Sequence, residues 1–232
     1  MRLLLFLLVL SLPVRSQETV TSIAEDIDSA QTMLFDVALN FHDGVPPTDT
    51  CVQQLSEALR RVSSLPDSMM PHSIRGHPTW QRDQQNLTFA LFQFDLLRSQ
   101  STSQDTLRDA FRELFYAFYR PCRPYLYQRV VTTAERKVLL FAASITCECT
   151  RRMCDEYTAE LVRLPRKQKN GFDLVIIDSV VSPELLKEYE VNTIPTAIAI
   201  DRTNTETGRL EGGEHVRART QELIGRMFGG SQ

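Results

Sequence analysis

The chain has 232 residues, of which 42% are apolar and 24% charged, and its formal net charge is −3. That apolar content excludes a disordered chain, and a mildly acidic balance without a basic block argues against a nucleic-acid-binding surface. The length allows one or two domains.

Residues 1–16 read as a secretory signal peptide. Arg2 supplies the charged start, Leu3 to Leu10 an apolar core too short to span a bilayer, and Pro13 a break. Val14-Arg15-Ser16 then puts a small residue ahead of Gln17 as a cleavage site, the alternative being an uncleaved anchor. No later stretch approaches a spanning helix. The expectation is a secreted, periplasmic or otherwise extracytoplasmic protein with no stable membrane span after signal removal. Five cysteines in an exported chain are candidates for disulfide bonds, and the odd number leaves at least one free or paired outside the chain.

Residues 17–122 have helical periodicity and predict an all-α domain. Val20, Ile23, Ile27, Ala30, Leu34, Val37 and Phe41 recur at steps of three and four, and Gly44, Pro46 and Pro47 end that run. Asp49 or Thr50 is placed to cap a second helix bearing Val52, Leu55, Leu59 and Val62. A long loop follows from about Ser64 to Pro78. A third helix carries Trp80, Leu87, Leu91 and Phe94, with the glycosylation sequon Asn86-Leu87-Thr88 inside it. A fourth carries Leu107, Phe111, Leu114, Phe115 and Phe118 and is expected to end at Pro121. Four such helices suggest a small bundle. If the long loop crosses over, helices two and three run parallel and Cys51 meets Cys122 in a disulfide. In a simple up-down-up-down bundle the two thiols lie at opposite ends.

Residues 123–232 change character. Lys137 to Ala142 is a continuously apolar run, as expected of a strand buried on both faces. Residues 149–164 predict a helix, 172–177 a second buried strand, and Ser182 caps a short helix with Pro183 at its first position. Pro195 to Ile200 predicts a third strand, Arg209 to Glu211 a weak fourth, and residues 214–228 a final helix. Strands one and two, joined through a helix, imply a parallel pair, while the last two suit an antiparallel hairpin.

This order, with Cys147 and Cys149 at the first strand-to-helix turn and Ile194-Pro195-Thr196 entering the third strand, resembles the thioredoxin fold over about residues 135–228. The expected architecture is therefore an α/β thioredoxin-like C-terminal domain preceded by an all-α helical domain. The resemblance implies a cis proline at Pro195 beside the active cysteines, and a client site formed by Thr146, Ile194 and Pro195. Three departures bear on function. The family's Cys-x-x-Cys falls on Thr146 to Cys149, so that Thr146 takes the nucleophile position unless the frame shifts by one residue to make Cys147-Glu148-Cys149 the reactive pair. The tryptophan that usually precedes the motif is absent. The buried acid of active thioredoxins corresponds to Leu140.

If Cys147 is the nucleophile, its thiolate gains from the unpaired amides of the helix start and from Arg151 and Arg152, while Glu148 opposes it. Cys149 would resolve the mixed disulfide, and the small ring it closes suits oxidase or isomerase work. Cys154 stands about 7.5 Å further along the helix. It reads as a small core residue, with a structural bridge or a second resolving role as the alternative. Metal is disfavoured, because no His or Cys completes a four-ligand set at conventional spacing and His42, His72, His77 and His215 are scattered. Nucleotide-binding glycine loops are absent and no cofactor is called for. Two readings remain: a thiol–disulfide oxidoreductase acting on protein clients through Cys147 and Cys149, or a redox-inactive thioredoxin-like binding or chaperone-type protein with structural cysteines.

Overall fold

The computed structural model describes residues 14–65, 79–100, 102–132, 135–164 and 171–229, with side chains at 23–65, 79–100, 102–126, 135–164 and 171–228. The charged start and apolar core of the expected signal peptide lie outside the described residues, as do His72 and His77. Among the described residues no helix is long and apolar enough to cross a membrane.

An all-helical region comes first, made of α1 (Val14–His42), α2 (Asp49–Ser63), α3 (Trp80–Ser99) and α4 (Gln104–Thr132). Gly44, at φ 70°, ends α1 in the left-handed conformation, and the Val45 amide closes back on the Asn40 carbonyl at 2.8 Å. The cap of α2 is Thr48, whose hydroxyl accepts the Cys51 amide at 3.3 Å, rather than Asp49 or Thr50. Side-chain pairs fix the directions of the helices. Arg61 meets Asp26 between α2 and α1 at 3.0 Å, whereas Asp36 lies close enough to Cys51 to perturb its thiol. Between α2 and α3, Asp49 pairs with Arg98 at 2.6 Å and the Leu65 carbonyl accepts from Gln84 at 2.8 Å. Phe94 packs against Phe111 between α3 and α4, while Asp83 feels the charges of Arg120 and Arg123 further along.

In each pair, residue numbers rise on one helix as they fall on the other. The bundle is therefore up-down-up-down, and the parallel arrangement of helices two and three is not formed. Cys51 sits at one end of the bundle and Cys122 at the other, and both are free thiols.

The fourth helix does not stop at Pro121. It continues through Pro121 and Pro124 to Thr132. A proline inside a helix costs about 3 kcal/mol. Burial of Phe118, Tyr119, Cys122, Tyr125 and Leu126 on either side of these prolines offsets that penalty.

The α/β region contains β1 (Lys137–Ala142), α5 (Glu148–Arg163), β2 (Asp173–Asp178), α6 (Pro183–Glu188), β3 (Thr196–Ile200), β4 (Glu206–Glu211) and α7 (Val216–Gly229). The sheet order is β2-β1-β3-β4. As expected, β1 and β2 are parallel and β3 and β4 antiparallel; β1 also pairs antiparallel with β3. Every residue of β1 is buried, which explains the unbroken apolar run from Val138 to Ala142; Lys137, at its start, is the one charged residue of the strand.

The two regions share one hydrophobic core. The Asp173 amide bonds inward to Arg136, so the backbone groups of the next residue, Leu174, point away from β1 at the sheet edge. There the buried Gln31 of α1 donates to the Leu174 carbonyl at 3.2 Å and to the Tyr119 hydroxyl of α4 at 3.3 Å. One side chain thus ties two helices to the strand and covers part of an open edge.

Candidate functional site

The turn between β1 and α5 is fixed before it reaches the cysteines. Phe141 pairs with Thr196 and Ala142 with Asp178, so β1 ends between the start of β3 and the end of β2. The Asp178 carboxylate, 2% exposed, accepts the Ser144 amide at 3.1 Å and the Val180 amide at 3.2 Å through Oδ1. Its Oδ2 is buried with no hydrogen-bond partner. A buried carboxyl group therefore holds the first residues of the turn from the neighbouring strand.

Cys147 is the N-cap of α5, with φ −67° and ψ 159°. The side chains of Cys147 and Cys149 are both exposed and both are free thiols. Their sulfurs stand 2.7 Å apart, longer than the roughly 2.05 Å of a disulfide and closer than two non-bonded sulfurs pack, so the pair is within reach of bond formation. Cys147 Sγ also lies 3.2 Å from Thr150 Oγ1. Hydrogen bonding with the Cys149 thiol, and after it with the Thr150 hydroxyl, holds the Cys147 thiol down to about 6, from an ordinary 9.0. These donors stabilise the thiolate more than the thiol. Arg151 contributes differently from expectation. Its guanidinium is 3.3 Å from Glu148 and 3.9 Å from Asp109, so its charge is shared with flanking carboxylates.

The other thiols have the opposite character. Burial pushes Cys154 up to about 11, and it also raises Cys122 and Cys51. Cys154 is a buried core residue without a bridge to Cys149. No three His, Cys, Asp or Glu side chains among the described residues are grouped as metal ligands would be.

The Ile194–Pro195 peptide is cis, and Pro195 is buried where the chain enters β3. Its carbonyl accepts the Gly212 amide at 2.9 Å, so that group is already occupied. Thr146 is partly exposed beside Cys147, and Ile194 packs partly against the core. Ile145 is 73% exposed at the turn. The register brings Thr146, Cys147, Ile194 and Pro195 to the same end of the sheet, through the Phe141–Thr196 pair.

Two residues that position the site escaped the sequence reading. Thr150 had a signal, a hydroxyl three residues after a helix N-cap. Asp178 had a weaker one, a carboxylate closing an apolar strand. No protein-family model matches the chain, and no curated protein matches it.

Proposed function

We propose that this protein is a thioredoxin-like thiol–disulfide oxidoreductase in which Cys147 attacks and Cys149 resolves. The observation that carries the reading is an exposed thiol of lowered pKa at a helix N-terminus with a second exposed thiol beside it. The β-α-β-α-β-β-α order, the mixed sheet and the cis Ile194–Pro195 peptide support the thioredoxin-like part.

The chemistry balances without a cofactor. The Cys147 thiolate bonds to one sulfur of a client disulfide, that S–S bond breaks, and the electron pair leaves on the other client sulfur. Cys149 then loses its proton and bonds to Cys147 Sγ. The Cys147–client bond breaks, and the client departs as a dithiol once its sulfurs are protonated. The client is reduced and the pair oxidised; the reverse sequence oxidises a client dithiol. Peptide binding beside Pro195 would use the Ile194 backbone, whose amide and carbonyl make no hydrogen bond among the described residues.

The test is disulfide exchange by the protein and by Cys147→Ser, with oxidised glutathione and a disulfide-bonded protein as substrates. Exchange by the parent and its loss in the variant are expected. Equal rates would remove Cys147 as nucleophile. Rates no better than free glutathione would favour the redox-inactive binding reading, to which the exposed Ile145 beside the pair would then contribute.

A further inference from the structure

A cavity of about 390 Å³ opens between α1, α4 and α5. Its position connects it to the thiols, because Glu148, the residue between the two cysteines, is part of its wall. The volume falls within the range that holds a small ligand or a bulky side chain with its neighbours.

The floor is aromatic. Phe41, Phe111 and Phe115 line it, each 4–7% exposed, with ring centroids 5.2 Å apart for Phe41–Phe111 and 6.1 Å apart for Phe111–Phe115. Such a floor favours an apolar guest of ring-like shape.

The charged groups around the floor fall into two sets. Arg112 is fully engaged, donating to Asp155 at 2.6 Å and to Asp109 at 2.6 Å, and Glu148 is held by Arg151. These pairs are structural. Two guanidinium groups have donors free for a guest, those of Arg152 exposed to solvent and one of Arg108 buried. Arg152 makes no ion pair or hydrogen bond among the described residues, and Arg108 pairs with Asp105 at 3.3 Å through Nη1 while its buried Nε has no acceptor. Against them stands one carboxylate on the wall without a cation, Glu156. The unspent hydrogen-bonding capacity therefore favours an anion, and an unpaired buried donor is the kind of group a bound carboxylate satisfies.

We propose that this cavity is a client subsite, taking the segment of a protein client that carries an aromatic residue next to an acidic one near the cysteine to be exchanged. The ring would lie on Phe41, Phe111 and Phe115, and the carboxylate would meet Arg152 and Arg108. This deepens the thiol-exchange reading and rests on it for what the bound segment presents to Cys147. It also gives the helical region a role, since α1 and α4 build most of the floor.

The test uses blocked peptides with Phe-Asp, Phe-Lys or Ala-Asp placed two to four residues to either side of one cysteine. Each is made as a mixed disulfide with glutathione for exchange, and with serine in place of cysteine for binding by calorimetry. The serine peptide with Phe-Asp is expected to bind roughly tenfold more tightly than the other two, the size of effect one well-placed group contributes. Ala38→Trp, which fills the cavity from α1, should erase that difference, and Arg152→Glu should turn the preference from Phe-Asp to Phe-Lys; thermal melts show whether each variant is folded. Equal binding of the three peptides, or a preference that survives both variants, overturns the subsite. Failure of the thiol reading looks different: the preference holds while neither the peptides nor oxidised glutathione exchange. If glutathione exchanges and the peptides are not distinguished, the thiol reading stands and the subsite falls.

Discussion

Thr150 Oγ1 lies 3.2 Å from Cys147 Sγ, one turn into the helix that Cys147 caps. No helix amide caps that sulfur, so the hydroxyl is the group through which this threonine supports the thiolate. Thr150→Val removes the hydroxyl and keeps the shape. The expected outcome is a rise of about one unit in the Cys147 pKa, the equivalent of one net hydrogen bond. Alkylation by iodoacetamide, followed against pH, checks it. In the parent protein the rate should climb as pH passes about 6 and level off above it, because the thiolate is the reactive form and its pKa is depressed. An inflection near 9 would remove the activation.

Four of the five thiols should separate into two reactivity classes, with Cys51 between them. Cys147 and Cys149 are exposed, Cys51 is half-buried, and Cys122 and Cys154 are buried, with burial raising the pKa of each of the last three. Mass spectrometry after brief alkylation of the native protein should find labels on Cys147 and Cys149, with Cys122 and Cys154 protected until denaturant is added. A Cys51–Cys122 crosslink in the native protein would contradict the antiparallel bundle.

Asp178 should matter more for the site than for the sheet. Asp178→Ala leaves the Ser144 and Val180 amides without their acceptor, at a cost of about 1–3 kcal/mol. The loss should appear as a lower melting temperature together with slower alkylation of Cys147, since the turn that presents the thiol is no longer held. Asp178→Asn keeps an acceptor oxygen and should retain most of both properties.

Gln31 joins α1, α4 and the edge of the sheet. Gln31→Leu removes the donor to the Leu174 carbonyl and should cost about 1–2 kcal/mol in urea unfolding. Gln31→Glu should cost more, because a buried carboxylate then faces a carbonyl oxygen with no proton to share. If the glutamate variant is as stable as the parent, the contact is not structural.

The order of elements was legible because each depends on a short local signal. The run from Lys137 to Ala142 announced a doubly buried strand, and Ser182-Pro183 a helix start. Pro121 misled, because its local penalty is outweighed by aromatic packing that lies across the bundle rather than along the chain. Helix directions were also undecided. They emerge from pairs such as Asp49–Arg98 and Arg61–Asp26, each separated by more than thirty residues.

The candidate site divides in the same way. The sequence by itself determined that two cysteines stand at a strand-to-helix turn and that a proline enters a later strand. Only the tertiary structure decided which thiols are exposed, that Thr150 and Cys149 lie within reach of the Cys147 sulfur, and that Asp178 reaches under the turn from a different strand. Local order follows from the spacing of apolar residues and caps, which neighbours in the chain set. Exposure and hydrogen bonding at a sulfur depend on which atoms the fold brings within about 3 Å of it, and that is a property of the whole core.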